Sequence, residues 1–263
     1  MQKIIVTTSQ KKISANEPLA MEAAAALGGE YVRRDKCSLA VIRERFGVGF
    51  VVVARRGELV LDSDDGEFFF HPSMAHVRIK NLRHGGVDHL IEAMDIREGD
   101  EVIDCTLGLG ADAIVESYGA GESGRVVALE ASGLISGVVR YGLTHYVGEN
   151  EYVTGAMRRV KVINEDYLSF LRHQRDDSFD AVYFDPMFRH PLTKSASMHP
   201  LREFADMRPV CGEAVREACR VARRRVVLKE NSRSNEFSRL GFETFVGGKY
   251  SPVRYGVIIL DKD

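Results

Sequence analysis

Five short apolar runs from residue 101 onward are spaced so that a helix fits between each and the next. They are Glu101–Cys105, Arg125–Glu130, Val160–Asn164, Phe179–Phe184 and Arg225–Lys229. The periodicity predicts helices near Ala111–Tyr118, Leu134–Tyr146, Tyr167–Arg172 and Pro209–Ala222. Parallel strands need crossovers of a dozen or more residues, and a helix is their usual filling. The alternation therefore dictates an α/β fold, a mostly parallel sheet with helices on both faces. A final pair, Glu243–Val246 and Arg254–Leu260, lies either side of Gly247-Gly248 and Ser251-Pro252 and supplies an antiparallel last strand. Ligands of such sheets bind beyond the carboxyl ends of the strands.

The chain has 263 residues, enough for one core domain with a smaller appendage. The pattern divides it into a small N-terminal α/β domain, residues 1–84, and a larger domain, residues 85–263. In the first, a strand is predicted at Ile4–Thr8, helices near Pro18–Leu27 and Leu39–Phe46, and strands at Phe50–Ala54, Glu58–Asp62 and Glu67–His71. A helix around Asp88–Met94 leads into the first buried strand. No apolar run approaches the roughly 18 residues of a membrane-spanning helix, and the first residues lack the apolar stretch of a secretion signal. The four cysteines, Cys37, Cys105, Cys211 and Cys219, form no CxxC pair, and the histidines no ligand spacing. A cytoplasmic protein without a metal site is expected.

Net charge is −2, but residues 1–85 hold 13 Lys+Arg against 10 Asp+Glu. Lys11-Lys12, Arg33-Arg34, Arg55-Arg56 and the Arg78/Lys80/Arg83 group are either a solvated surface or a face that meets an RNA backbone.

The most informative stretch runs from Val102 to Ala113. A strand ends in Asp104-Cys105-Thr106-Leu107-Gly108-Leu109-Gly110 and passes into a helix. Gly108 and Gly110 permit a sharp turn and leave a ligand room against the backbone. Glu130, twenty residues past Gly110, ends the next strand where a carboxylate can hold a ribose diol. Gly108-x-Gly110-x-x-Ala113 also fits a dinucleotide fingerprint, which leaves a nicotinamide oxidoreductase as an alternative. Asp104 counts against it, because a carboxylate there repels a pyrophosphate and suits a ligand with a cationic end. Asp166, after the third strand, either accepts from an adenine amine or caps the following helix.

The run Asp104-x-Thr106-x-Gly108-x-Gly110 resembles the first motif of class I methyltransferases, with Thr106 where many members have glycine. This implies S-adenosylmethionine as cofactor, held by Asp104, Thr106, Gly108, Gly110, Glu130 and Asp166. Asp185-Pro186-Met187-Phe188, at the end of the fourth strand, resembles the Asp/Asn-Pro-Pro-Tyr/Phe motif of amino-methylating enzymes. In that motif the acid and the proline carbonyl aim the amine, and the aromatic ring stacks on a flat acceptor. Together with Arg189-His190, Lys194-Ser195-Ala196 and Arg225-Val226-Val227-Leu228-Lys229, the chain resembles the RsmJ-type 16S ribosomal RNA guanine-N2 methyltransferases over residues 84–263. It departs from them at Arg189 and at Glu230-Asn231, and its first 84 residues resemble an uncharacterised bacterial branch.

The resemblance implies catalysis by Asp185, Pro186 and Phe188, and substrate contacts from Lys194 and Lys229, against a plain surface loop and a solvated strand end. It implies methylation of an exocyclic guanine amine in ribosomal RNA. The alternatives are a small-molecule or protein acceptor, or an RNA module that binds the cofactor without turnover.

Overall fold

Strands apolar at consecutive positions must be covered on both faces, and the larger sheet is built that way. The computed structural model describes residues 3–187, 204–248 and 251–262, with the backbone alone at Ser73. Strands β6 (Glu101–Asp104), β7 (Arg125–Leu129), β8 (Val160–Ile163), β9 (Phe179–Phe184), β10 (Ala222–Asn231), β11 (Thr244–Val246) and β12 (Val253–Ile259) form one sheet in the order β11-β12-β10-β9-β6-β7-β8. Pairing is parallel from β8 through β10, and β12 runs antiparallel to both of its neighbours. The expected Rossmann-like sheet with its antiparallel last strand is what forms.

Side chains alternate between two cores. Val102, Val126, Ala128, Ala181, Tyr183 and Val227 point to one face, covered by helices α4 (His89–Met94), α5 (Ala111–Ala120), α6 (Gly133–His145) and α7 (Glu151–Arg159). Ile103, Val127, Leu129, Val182, Phe184 and Leu228 point to the other, under α8 (Tyr167–Arg172), α9 (Gly212–Val221) and α10 (Glu236–Leu240). The period-2 alternation therefore puts Asp104, Tyr183, Asp185 and Lys229 all on the α5 side.

The N-terminal part forms a second sheet, β2-β1-β3-β4-β5, from β1 (Ile5–Thr8), β2 (Glu30–Tyr31), β3 (Phe50–Arg55), β4 (Glu58–Ser63) and β5 (Gly66–Phe69). One face packs α2 (Leu39–Phe46) over Ile5, Val51, Val53 and Val60. The other carries α1 (Ile13–Leu27) and joins the core of the larger sheet without a break. Two glycines of α6 make that contact close: a Cβ on Gly137 would stand 2.4 Å from Leu27 Cδ2, and one on Gly142 2.2 Å from Phe70 Cγ.

Four of the differences from expectation have a visible cause or consequence. Helix α1 begins at Ile13, not near Pro18, and keeps Pro18 inside it. Its start is fixed by Asn16, whose amide donates to Ser9 Oγ and to the Lys11 and Lys12 carbonyls and accepts from Arg56 N–H. Helix α3 (Ser73–Arg83) was not expected, because its buried stripe is as narrow as Ala75 and Ile79. Helix α7 was missed for a similar reason: Val153, Ala156 and Met157 are buried in an otherwise polar, glycine-containing run. Strand β10 starts at Ala222, directly after α9, with an irregular register between Ala222 and Arg225. Among the described residues no helix is long and apolar enough to cross a membrane, and no group of three or more acidic, His or Cys side chains is placed to hold a metal.

Candidate active site

A cleft opens at the carboxyl ends of β6, β7 and β9. Thr106, Gly108, Glu130, Tyr167, Asp185 and Pro186 line it, closed on one side by Ala205, Asp206 and Arg208. Gly108 has φ +48°, and a Cβ there would meet nothing nearer than the Thr106 carbonyl at 3.8 Å. The loop thus presents bare backbone to the cleft. Gly110 has φ +78° and caps α5, where a Cβ would crowd Val139 at 3.2 Å. Of the two glycines, Gly108 is the one facing the cleft and Gly110 the one that packs.

Asp104 is fully buried, with Oδ1 accepting from Thr106 N–H at 2.8 Å. Its Oδ2 has no partner among the described residues, an arrangement a native fold tolerates only for a reason. Burial, reinforced by Asp112 and Asp185 and opposed by the Thr106 N–H, pushes this carboxyl up to about 8. A cationic ligand group would satisfy the free oxygen and favour ionisation. Glu130 accepts from Gly108 N–H at 3.2 Å and Ser132 N–H at 2.9 Å, holding the glycine loop in place. Orphan oxygen, open glycine and strand-end acid together fit an amino-acid nucleoside with a cationic end.

Asp166 caps α8 through Ser169 N–H at 3.0 Å, while its other oxygen pairs with Arg208 at 2.6 Å. The capping alternative is therefore realised, and the acid reaches the cleft through Arg208. Arg208 also pairs with Asp206. Neither residue stood out in the sequence, where both belong to a polar run with no strand or helix to place them.

A second group of charged side chains is built around Asp185. Phe184 pairs with Leu228 in the β9–β10 ladder, so Lys229 is the lateral neighbour of Asp185. Lys229 Nζ donates to Asp185 Oδ2 at 2.7 Å and to Asp112 Oδ2 at 2.9 Å. Two of its three N–H bonds are thus committed to carboxylates, and it is not the solvated strand end the sequence allowed. Tyr183 OH donates to Asp112 at 2.8 Å, and the Arg78 guanidinium closes on Asp112 and Asp88. Burial works against Asp112, yet Lys229 and Arg78 hold it well below the usual carboxylate range. For Asp185, burial and Asp112 outweigh Lys229, and the carboxyl is pushed up to about 6. Thr106 Oγ1 accepts from Asp185 N–H at 2.6 Å and lies 3.4 Å from Asp104 Oδ1, so Asp104 and Asp185 share one hydroxyl. Phe188 and Lys194 lie outside the described residues. Arg78, Asp112 and Tyr183 were not found from the sequence. Only the placement of Asp112 in the first turn of α5 hinted at the strand ends.

Residues 59–252 match the family model described as "Putative SAM-dependent methyltransferase". The chain is 35% identical to "Uncharacterized protein YpiP" of Bacillus subtilis over 254 residues, 97% of this chain and 98% of that one. It is 30% identical to Ribosomal RNA small subunit methyltransferase J of Actinobacillus succinogenes over 163 residues, 59% of this chain and 60% of that one. Among solved structures, a SAM-dependent methyltransferase from Neisseria gonorrhoeae superposes with a TM-score of 0.62 at 15% identity, covering 98% of this chain and 97% of that one. Strand order, cleft and family match agree: the chain belongs to the family of S-adenosylmethionine-dependent methyltransferases.

Proposed function

We propose that this methyltransferase modifies an exocyclic amine of guanine in ribosomal RNA. The carrying observation is Asp185, set beside Pro186 at the end of β9 in the cofactor cleft, with Oδ2 bound by Lys229. The carboxyl also lies within hydrogen-bonding reach of Asp112, and among the described residues no side-chain N–H donates to its Oδ1, the oxygen we assign to the amine. The partial similarity to the small-subunit RNA methyltransferases supports RNA as the substrate class.

Asp104, Gly108 and Glu130 would hold S-adenosylmethionine, with Thr106, Gly110 and Asp166 shaping the loop and the far wall. Bound there, it supplies an electrophilic sulfonium methyl. Asp185 and the Pro186 carbonyl accept the hydrogens of the acceptor amine and turn its lone pair toward that methyl. Positioning of this kind, in a site sheltered from water, carries most of such a reaction. As the nitrogen gains the methyl group it sheds one proton, which Asp185 can take and pass to water. Phe188 would stack on the base, and Lys194 would contact the RNA.

In the N-terminal part, Arg55 pairs with Glu67, Arg33 with Asp35, and Arg34 donates to backbone carbonyls. Exposed Lys11, Lys12, Lys36 and Arg56 carry no ion pair among the described residues, and they are the cations that would meet RNA phosphates in a cytoplasmic ribosomal substrate.

The test is transfer of labelled methyl to ribosomal RNA from cells lacking this protein, followed by nucleoside analysis. N2-methylguanosine is the expected product. Asp185→Ala should lower the single-turnover rate on the order of 10²–10³, the scale of one lost positioning contact. Asp185→Asn should retain much more if the residue positions, and little if it must take the proton. Full activity in Asp185→Ala, or label in a small molecule and none in RNA, overturns the reading.

A further inference from the structure

Asp185 stands at one end of a buried chain of charges that leaves the methyltransferase sheet altogether. Lys229 on β10 bridges Asp185 and Asp112, and its side chain is only 20% exposed. Asp112, 13% exposed, sits in the first turn of α5 and receives Lys229, Tyr183 OH and Arg78. Arg78 comes from α3, which precedes the sheet, and its remaining nitrogens lie on Asp88 at 2.7 and 2.8 Å. Asp88 in turn caps α4 through Leu90 N–H at 3.0 Å. Lys229, Asp112, Arg78 and Asp88 are each fixed by two or more partners.

We propose that Lys229, itself held by Asp112, which Arg78 in turn holds, is a positioning residue that fixes the orientation and the ionisation of Asp185. The proposal rests on the reading of Asp185 as the group that meets the acceptor amine. It accounts for three observations at once: the commitment of two Lys229 N–H bonds, the burial of an Asp–Arg pair outside the cleft, and an Asp185 Oδ1 that takes no side-chain N–H among the described residues. With Oδ2 pinned by an ammonium, only Oδ1 can turn toward the amine. Burial and Asp112 disfavour the charge of Asp185 while the Lys229 ammonium favours it, so changing either neighbour shifts that balance.

The groups facing Asp185 are Lys229 from β10, Asp112 from α5 and Asp104 from β6, with the phenols of Tyr183 on β9 and Tyr255 on β12 behind them. Removing the cation and removing the anion must therefore act in opposite directions. That signature separates positioning from a merely structural role, which would lower stability in both variants and leave the titration alone.

The experiment follows the carbon-13 carboxyl resonance of Asp185, assigned by its loss in Asp185→Asn, from pH 4 to 9 in the full chain. Lys229→Gln should raise the midpoint by about 1 unit or more, the scale of losing an opposite charge in contact. Asp112→Asn should lower it, and Lys229→Arg should keep it within about half a unit, as expected if charge is what counts. If Lys229→Gln does not fold, Asp112→Asn and Lys229→Arg still decide the question. The acid limb of the single-turnover methylation rate should move with each midpoint. Midpoints that stay put in every variant, or that move the same way for Lys229→Gln and Asp112→Asn, overturn the proposal. A chain that transfers no methyl to RNA counts against the acceptor assignment above, while the titration still decides whether Lys229 governs the charge of Asp185.

Discussion

Helix α6 gives up helical propensity at two interior glycines, and the structure says what each obtains in return. A Cβ on Gly142 would stand 2.2 Å from Phe70 Cγ and 2.4 Å from both Phe70 Cβ and Cδ1. Carbon atoms in contact prefer about 3.5–4.0 Å, so more than 1 Å of movement is required at atoms next to the backbone. Phe70 is 6% exposed and has nowhere to go. Alanine recovers about 1 kcal/mol of propensity, but overpacking of a well-filled core costs about 1–3 kcal/mol. The need to shift Cβ and Cγ places this case at the upper end, for a net loss of about 1–2 kcal/mol. At Gly137 the obstacle is Leu27 Cδ2 at 2.4 Å, the free end of a half-buried side chain that can rotate away. Gly137→Ala should therefore be neutral or stabilising by up to about 1 kcal/mol. The chain has no Trp, so urea unfolding is best followed by circular dichroism. Phe70 also approaches Gly110, its Cε2 lying 3.9 Å from where a Cβ there would sit, so Gly142→Ala should weaken S-adenosylmethionine binding as well. Equal midpoints for the two variants, or a Gly142→Ala chain as stable as the parent, would refute the account of how the two sheets are joined.

Three further outcomes are expected. Glu116 is fully buried with neither carboxylate oxygen partnered among the described residues, and burial aided by Asp104 and Asp112 pushes its carboxyl well above 4.5. The folded state thus keeps a proton that the unfolded chain releases, so stability falls as pH rises past 4.5. Glu116→Met should add about 1–3 kcal/mol at pH 7.5 and little at pH 4, and calorimetric melts showing the same gain at both pH values would sink this. Only ionised Asp104 can hold an ammonium, so cofactor affinity should climb as pH approaches about 8. It should then decline as the ligand's own α-amine deprotonates near about 7.7–8.0. Titration calorimetry on Asp104→Asn should find the rising limb gone. Neutralising Lys11, Lys12, Lys36 and Arg56 together should flatten the salt dependence of RNA binding by up to about one log-log unit per lost phosphate contact, whereas an unchanged slope assigns that face to another partner.

Much of this site was legible because its ingredients lie at predictable ends of strongly patterned strands. Asp104, Gly108, Glu130 and Asp185 each follow an apolar run, and the parallel topology brings those ends together without further information. Lys229 was found as a residue but not as an interaction, since its partner Asp112 is 117 positions away and only strand register reveals their encounter. Arg78 was invisible for a stronger reason. Its helix, α3, shows a two-residue buried stripe, and in sequence its charge belongs to a basic cluster that reads as surface. For Asp166 the sequence offered an adenine acceptor or a helix cap; one carboxylate oxygen takes the cap, and the other meets Arg208, a partner 42 positions away that local sequence does not reveal.

The hydroxyl of Thr106 has a consequence for how such an enzyme can change. It ties the backbone of Asp185 to the loop that carries Asp104, so the parts proposed to serve donor and acceptor form one mechanical piece. A substitution that re-aims Asp185 toward a differently shaped amine also drags the donor loop, and new acceptor preference would arrive with damaged donor affinity. Lineages, or laboratory selections, that acquire new acceptors should therefore leave Thr106 and Asp185 fixed. They should vary Met187 and the Ala205–Arg208 wall instead, which border the cleft without belonging to that bridge.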